Sequence, residues 1–416
     1  MEYPTLLPRF LKYVKINSRS DEHADRFPST EREVAFQKVV MQDLIDLGLS
    51  DVHYNEKAGV VIAEIPATVD YDVPVMGFLA HCDTADFNSE NIKPQIVENY
   101  DGESKIQLGK TEFYLDPAVF PHLKNYKGQT IISASGDTLL GGDDKCGVSE
   151  LVTLAEYLLA HPEIKHGRIR LGFTPDEEIG TGAEHFDVAD FGAEFAYTVD
   201  GEAPGKLDWG TFSAAQFALD IQGVNVHPAV AKGQMINAIQ VGIDFQNALP
   251  QAEVPEQTEG DQGFYHLMNF EGTVDSAHLD YIIRDFKRDG LERRKNLVKS
   301  IVDQMNEKFG TERLKLKMWD QYYNMADELE KHMDVVDLAR EAYRENGLTL
   351  NEDPVRGGTD GSQLTYMGLP CPNLFAGEEN MHGRYEYTVL ESMWKAVDVM
   401  LSMVQNHAKH HAVKQN

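Results

Sequence analysis

Five short segments of the chain carry side chains that commonly bind metal ions, each where a predicted strand ends or in an adjoining loop. In PVMGFLAHCDTADF an apolar run ends at His81 and Asp83, which are two residues apart and therefore share one face of a strand. In open α/β sheets, ligands usually bind at the carboxyl ends of the strands. The other segments are GDTLLGGDDKCG, FTPDEEIGTGAEHF, YTVDGE and NMHGRYEY, which contain Asp143, Glu178, Asp200 and His382.

Together with His81, these four residues form a donor set of two imidazoles and three carboxylates. Such a mixture of nitrogen and oxygen donors suits zinc, and cobalt or manganese can substitute. Because one carboxylate can bridge two ions, the set makes a site with two ions about 3.5–4 Å apart feasible. Such a pair would polarise a carbonyl group and lower the pKa of a shared water.

Each segment taken alone also fits an ordinary structural role. His81 fits a solvated strand end, Asp143 fits a helix N-cap, and Asp200 fits an Asp-Gly turn. A loop histidine such as His382 needs no special function. The three consecutive acids at 176–178 differ, because adjacent carboxylates repel one another unless a cation or a proton lies between them. The occurrence of all five segments in one chain favours the metal site.

Two further acids have predicted roles beside the metal ligands. Glu177 adjoins Glu178 and is the candidate general base, which would take the proton of the activated water. Asp83 is predicted to hold the second ring nitrogen of His81 and thereby to fix its tautomer.

Three residues are predicted to contact a substrate. Arg356 precedes a glycine-rich turn in VRGGTDGSQ and could bind a carboxylate through two parallel hydrogen bonds, although a surface arginine beside a loop is the alternative. The segment GVNVHPAVAKGQMINA contains His227 and Asn237. His227 could donate to the oxyanion of a tetrahedral intermediate if its domain folds over the cleft, although a histidine before proline is usually structural. Asn237 is predicted to assist Arg356.

The elements that must position these residues alternate between helix and strand patterns. Helical spacing of apolar residues occurs at 6–14, 31–47 and 144–161, and strand patterns occur at 59–65, 74–80, 168–174 and 194–200. A loop rich in proline and glycine is predicted over 84–130. This order predicts an α/β fold with a mixed, mostly parallel sheet flanked by helices.

The pattern changes after Gly210. Between 213 and 321 the order strand, helix, strand, strand, helix, strand predicts an inserted ferredoxin-like α+β domain. We therefore expect a catalytic domain formed by residues 1–211 and 326–416, with the inserted domain at 212–325. A length of 416 residues is consistent with two domains.

Charge and cysteine content exclude several classes of partner. A net charge of −30 argues against nucleic acid and anionic membranes. The N-terminus lacks a signal-peptide pattern, and no apolar run approaches the ~20 residues of a membrane helix. Three cysteines cannot form a paired disulfide framework, which favours a reducing, cytoplasmic location.

The motifs HCDT, LLGGDDKCG, FTPDEEIG, YTVDGE, VHPAVAKGQMINA, RGGTDGSQLTYMGLPCPNLF and MHG resemble, in this order, a family of di-zinc exopeptidases that also includes aminoacylases, carboxypeptidases and desuccinylases. The resemblance extends over essentially the whole chain. The sequences TEGDQGFYHL and YIIRDF of the insert and the RGGTDGS run resemble the tripeptide aminopeptidases of this family in particular.

The resemblance assigns the predicted ligands to two ions. It implies that His81 and Asp200 hold one zinc. It implies that Glu178 and His382 hold the other, with Asp143 bridging the two. The peptide bond after the bridging aspartate is expected to be cis.

The resemblance also implies an activity. We expect an aminopeptidase that releases the N-terminal residue from tripeptides by zinc-activated water, with Glu177 as general base. A dipeptidase or an N-acyl amino acid hydrolase on the same scaffold is the alternative, and a non-catalytic binding protein is a further one. The insert is expected to act as a lid and as the surface of a homodimer.

Two acids near the predicted site depart from the family pattern. Glu378 and Glu379 precede His382 in GEENMHG. They could favour the amino terminus of a peptide, but we expect them to be solvated.

Overall fold

The structure is a computed structural model that describes residues 1–414. Its α-helices are α1 (Leu6–Tyr13), α2 (Glu31–Leu47), α3 (Gly142–Ala160), α4 (Val188–Phe191), α5 (Ala238–Ala248), α6 (Arg288–Phe309), α7 (Ala326–Leu329), α8 (Met333–Glu345), α9 (Asp360–Tyr366) and α10 (Leu390–Lys414). Its strands are β1 (Ser50–Asn55), β2 (Val60–Ile65), β3 (Met76–His81), β4 (Gln95–Val97), β5 (Ile106–Gln107), β6 (Tyr114–Leu115), β7 (Ile131–Ser133), β8 (Ile169–Thr174), β9 (Phe195–Val199), β10 (Leu207–Asp208), β11 (Ser213–Gln222), β12 (Phe264–Gly272), β13 (Ser276–Asp285), β14 (Leu314–Tyr322), β15 (Asn373–Leu374), β16 (Glu378–Glu379) and β17 (Tyr387–Val389). Among the described residues, no helix combines the length and the apolar character needed to cross a membrane.

The chain divides into two compact units. The large unit consists of Met1–Trp209, Asp327–Asp353 and the chain from Thr359 onward. The small unit consists of Gly210–Ala326 and Pro354–Gly358. The second of these segments lies outside the predicted range of the insert and contains Arg356.

The large unit is built on a seven-stranded sheet with the order β1-β2-β8-β3-β9-β15-β10. Strands β8, β3, β9 and β15 run parallel, and the pairings toward both edges are antiparallel. Every residue of β3 and β8 is buried, as expected for central strands covered on both faces. Phe78 and Leu79 point to opposite faces and pack in two different apolar clusters. The predicted mixed α/β sheet flanked by helices is confirmed.

Local sequence signals explain where α2 begins and ends. Thr30 and Glu33 form a capping box at its N-terminus, and Gly48 ends it with a left-handed φ of 86°.

The segment 84–130 is more ordered than predicted, because it contains β4, β5 and β6. Leu108 and Leu123 of this segment are fully buried in a small apolar cluster that also contains Ile131 and Tyr387.

The small unit has the order β11, α5, β12, β13, α6, β14, and its sheet has the strand order β12-β13-β11-β14 with antiparallel pairings throughout. This is the predicted ferredoxin-like arrangement. Alternate residues of β11, such as Phe217 and Leu219, are buried with residues of α5 and α6, including Phe245 and Val298. The Phe217 and Tyr281 rings stack with centroids 4.6 Å apart.

Candidate metal centre

Three neighbouring strands of the large unit carry predicted site residues at one edge of the sheet. His81 is the last residue of β3, Asp200 follows β9, and the acids 176–178 follow β8. His81 pairs in register with Thr174, the last residue of β8. Because these strands are parallel, their carboxyl ends bring the site residues to the same edge.

Asp143 and His382 reach this edge from outside the sheet. Asp143 lies in the first turn of α3, and the Asp143–Asp144 peptide bond is cis, as predicted. His382 lies in the loop between β16 and β17 and has a φ of 64°. This left-handed conformation is uncommon for residues other than glycine.

The two imidazoles contact the two different oxygens of one carboxylate. His81 Nε2 lies 2.9 Å from Asp143 Oδ1 and 3.5 Å from Asp200 Oδ1. His382 Nε2 lies 2.9 Å from Asp143 Oδ2 and 3.1 Å from Glu178 Oε2. The structure therefore brings all five predicted ligands together. Asp143 lies between two pairs, which are His81 with Asp200 and His382 with Glu178.

The chemistry of these groups fits divalent metal ions. Candidate ligand atoms lie within 4.8 Å of one another in three overlapping groups, namely His81 with Asp143 and Glu178, His81 with Asp144 and Asp200, and Asp143 with Asp200 and Glu378. Glu178 Oε1 is buried without a hydrogen-bond partner. A buried carboxylate oxygen of this kind is normally paired or bound to a metal ion, so the donor set fits the predicted ions.

The electrostatics of the cluster agree with this fit. Burial and the charge of Asp143 together raise the pKa of Glu178 to about 8, although His382 and His81 oppose the shift. Burial also raises the pKa of Asp200 to about 6, although His81 opposes the shift. Hydrogen bonds to Asp143 and Glu178 raise the pKa of His382 to about 11. Carboxyl groups crowded in this way ionise more easily when a cation lies between them.

Asp83 orients both a predicted ligand and the predicted base. His81 Nδ1 lies 3.1 Å from the backbone oxygen of Asp83 and 3.3 Å from its Oδ1. A proton on Nδ1 that is donated to Asp83 leaves Nε2 free to bind a metal ion. The Asp83 carboxylate also accepts the backbone N–H groups of Glu177 and Glu178, at 3.0 and 3.2 Å. One side chain thus connects the ends of β3 and β8.

Two acids that the sequence did not indicate as functional hold the start of α3 in place. Asp144 accepts the backbone N–H groups of His81, at 3.0 Å, and Gly147, at 2.9 Å. Glu386 is 1% exposed and accepts the N–H groups of Leu140, Gly141 and Asp143 at 2.7, 2.8 and 3.0 Å. Asp144 is the second acid of the GGDD run, so its position beside Asp143 could have indicated a role. Nothing in RYEYTV indicates the role of Glu386.

The prediction that Glu378 and Glu379 are solvated is wrong. They form β16 and are 1% and 8% exposed. β16 pairs with β17, which in turn pairs with β7, and this small sheet holds the two acids beside the cluster of candidate ligands. The burial depends on pairing between distant segments, which the local sequence GEENMHG does not reveal.

Comparisons with known proteins identify the family. Peptidase T of Lactobacillus helveticus is 78% identical over 98% of this chain and 99% of its own length. Peptidase T of Latilactobacillus sakei is 56% identical over 97% of this chain and 98% of its own length. This chain belongs to the peptidase T family. Residues 209–312 match the model of a peptidase dimerisation domain of the M20 type. The resemblance read from the motifs is confirmed, and the chain is a peptidase of the M20 metallopeptidase family.

Solved structures share the peptidase T fold. The crystal structure of aminopeptidase PepT from Bacillus cereus aligns with a TM-score of 0.78 at 21% identity, covering 98% of this chain and 99% of that one. A dinuclear metal-binding peptidase of the M20 family from Bacillus subtilis aligns with a TM-score of 0.64 at 15% identity, covering 98% of both chains.

The remaining predicted residues of this peptidase T family member lie in the small unit. His227 is exposed, and its Nδ1 accepts the backbone N–H of Ala229 at 3.2 Å. Asn237 caps α5 by accepting the N–H of Ile239 at 3.0 Å. Arg356 donates from both terminal nitrogens to Thr258, Gly260 and Gln262, and its guanidinium lies over the rings of Phe212 and Phe264.

Proposed function

We propose that this protein is an aminopeptidase that releases the N-terminal residue from tripeptides with the help of two zinc ions. One observation carries the proposal: in a chain 78% identical to peptidase T, one carboxylate presents its two oxygens to two histidines. Hydrolysis of a peptide bond needs an activated water and a polarised carbonyl group, and a pair of ions supplies both.

The five ligands divide into two sets in this proposal. His81 and Asp200 would hold one ion. Glu178 and His382 would hold the other, and Asp143 would bridge the two. Bound there, the ions would polarise the scissile carbonyl group and lower the pKa of a water molecule. Zinc is the metal that imidazole and carboxylate ligands favour here, with cobalt and manganese as substitutes.

Glu177 is proposed to take the proton of the attacking water and to deliver it to the leaving amine. Burial raises the pKa of Glu177, and the charges of Asp200 and Asp360 raise it further. A raised pKa suits a group that must accept a proton and then release it near neutral pH. Asp83 holds the Glu177 backbone in place and orients His81, which supports its proposed role as a positioning residue.

Substrate contacts of the small-unit residues stay predictions. The Nδ1 of His227 is an acceptor, so a neutral ring carries its proton on Nε2, which suits the proposed role as an oxyanion donor. Arg356 already uses both terminal nitrogens to hold the loop at 258–262. A peptide carboxylate bound by Arg356 and Asn237 would therefore share the terminal nitrogens of Arg356 with this loop.

We further propose a cytoplasmic homodimer in which the large unit is catalytic and the small unit mediates association. The match of residues 209–312 to a peptidase dimerisation domain supports the association. Cys82, Cys146 and Cys371 are buried free thiols, which supports a reducing compartment. Nucleic acid and membranes are not expected as partners of a chain with a net charge of −30.

A peptide panel tests the proposed activity. Purified protein is supplied with di-, tri- and tetrapeptides in free and N-acylated forms, and the released amino acids are identified. We expect cleavage after the first residue of free tripeptides, loss of activity after chelation, and recovery with zinc. Faster hydrolysis of dipeptides or of blocked amines would contradict the proposal in favour of a dipeptidase or an N-acyl amino acid hydrolase.

A further inference from the structure

A cavity of about 790 Å³ opens in the large unit beside the proposed metal ligand His382. His382 is itself part of the cavity wall. Phe120 and Tyr385 also line the cavity, with ring centroids 5.2 Å apart, and so do the carboxylates of Glu202 and Glu379. A cleft that combines aromatic surface with a few fixed polar groups is typical of a small-ligand site.

The Glu379 carboxylate is held in place by dedicated partners. The phenolic O–H of Tyr126 donates to Glu379 Oε1. His122 Nε2 lies 3.5 Å from Glu379 Oε2 and 3.1 Å from Asn380 Oδ1. The His122 ring is in turn stacked on Tyr387, with an interplanar angle of 7°. These contacts fix the orientation of the Glu379 carboxylate before any ligand binds. Glu379 is 8% exposed.

The charge of this cavity favours a cationic ligand. Glu202 and Glu379 face the same space, and no lysine or arginine lies among the residues that line it. Burial raises the pKa of Glu379, and the nearby charge of Glu202 raises it further. A ligand with a positive charge would relieve this repulsion and the desolvation of Glu379 together.

We propose that this cavity, the amine pocket, binds the first residue of the peptide substrate, with Glu379 accepting hydrogen bonds from its α-ammonium group. Glu202 adds attraction, and Phe120 and Tyr385 form the wall that contacts the first side chain. The inference rests on the proposed aminopeptidase function. The α-nitrogen is two covalent bonds from the scissile carbonyl carbon, so an ammonium held beside His382 brings that carbonyl to the proposed metal ligands.

The test compares a tripeptide with its des-amino analogue, in which a propionyl group replaces an N-terminal alanine. The KM and kcat of the tripeptide and the inhibition constant of the analogue are measured for wild-type protein, Glu379→Gln and Glu98→Gln. Glutamine retains an oxygen that accepts from Tyr126 but lacks the charge. Glu98 is exposed on the same unit and outside the cavity, so its variant controls for the loss of one negative charge.

We expect Glu379→Gln to raise the tripeptide KM at least tenfold and to leave the inhibition constant of the analogue within twofold. Glu98→Gln should match the wild type. An equal loss for both compounds would overturn the inference, because it would show that Glu379 acts on the fold and not on the amine. No change for either compound would place the ammonium elsewhere and would overturn it as well.

Two further variants keep the test decisive if Glu379→Gln does not fold. Glu202→Gln should raise the KM of the tripeptide without affecting the analogue, and no difference would contradict the shared pocket. Phe120→Ala should change the ratio of kcat/KM between tripeptides that begin with leucine and with alanine. Wild-type protein that cleaves no tripeptide would instead refute the proposed function, so the two failures are distinguishable.

Discussion

The substitution Glu386→Gln tests whether a buried acid outside the proposed ligand set positions Asp143, the aspartate proposed to bridge the two ions. Glu386 Oε2 accepts the N–H groups of Leu140 and Gly141, and Oε1 accepts that of Asp143. A glutamine has only one acceptor atom, so its amide N–H₂ must face at least one of these backbone donors. At least one hydrogen bond to a charged acceptor is then lost within the protein interior.

The size of the effect follows from this loss. A hydrogen bond to a charged group contributes about 1.5–3 kcal/mol, and an unpaired buried donor has a comparable cost. Since about 1.4 kcal/mol corresponds to a tenfold change in an equilibrium, the segment that carries Asp143 at the start of α3 should adopt its native conformation roughly 10- to 100-fold less often. We expect metal affinity and tripeptide kcat/KM to fall by the same factor of roughly 10 to 100.

The assay is a zinc titration of metal-depleted protein against a competing chelator, combined with tripeptide kinetics. Glu391→Gln is the matched control, because Glu391 accepts the backbone N–H of Thr130 at 2.8 Å on α10 outside the ligand cluster. Wild-type affinity and turnover in Glu386→Gln would refute the positioning argument. An equal decrease in zinc affinity and turnover in the two variants would refute it too, since the effect would then be a general loss of stability.

Three other substitutions test separate parts of the structure. Glu177→Gln should lower kcat at least 100-fold while zinc content stays unchanged, because only the proposed base is removed; full turnover would remove Glu177 from that role. Gly147→Ala should unfold the start of α3 or abolish zinc binding, because a Cβ there would lie 2.0 Å from the backbone oxygen of Val199; a soluble variant with normal zinc affinity would contradict this. His407→Gln should reduce the loss of free energy of unfolding that occurs as the pH falls below about 7. Burial lowers the pKa of His407 to about 4, so the unfolded chain takes up a proton first as pH falls from about 7, and up to roughly 3 kcal/mol of stability is lost by pH 4. Thermal midpoints of both proteins between pH 4.5 and 7.5 check this, and parallel profiles would contradict it.

The candidate ligands could be predicted because their signals are local. His81, Asp200 and the acids at 176–178 each follow an apolar strand pattern, and the carboxyl ends of parallel strands share an edge. The bounds of α2 were also predicted, from the helical spacing of its apolar residues. The ferredoxin-like order of the small unit followed from two patterns. Apolar and polar residues alternate in β11 and β13, and apolar residues recur at helical spacing in α6.

The supporting acids could not be predicted, because their partners are far away in the chain. Glu386 and Asp143 are 243 residues apart, and Glu379 and Tyr126 are 253 apart. No pattern within RYEYTV or GEENMHG distinguishes a buried acid with fixed donors from a solvated one. Arg356 is a further case, since its donation to the loop at 258–262 depends on the packing of the small unit.

The sequence by itself determined the donor types, the strands that carry them, the fold class and the family. These properties depend on residue type and short-range periodicity, which the chain carries without folding. Only the tertiary structure decided that Asp143 lies between two histidines, that Glu386 holds the start of α3, and that Glu379 is buried beside a cavity. Such arrangements require distant segments to pack together, and desolvation then gives ordinary acids their specific surroundings.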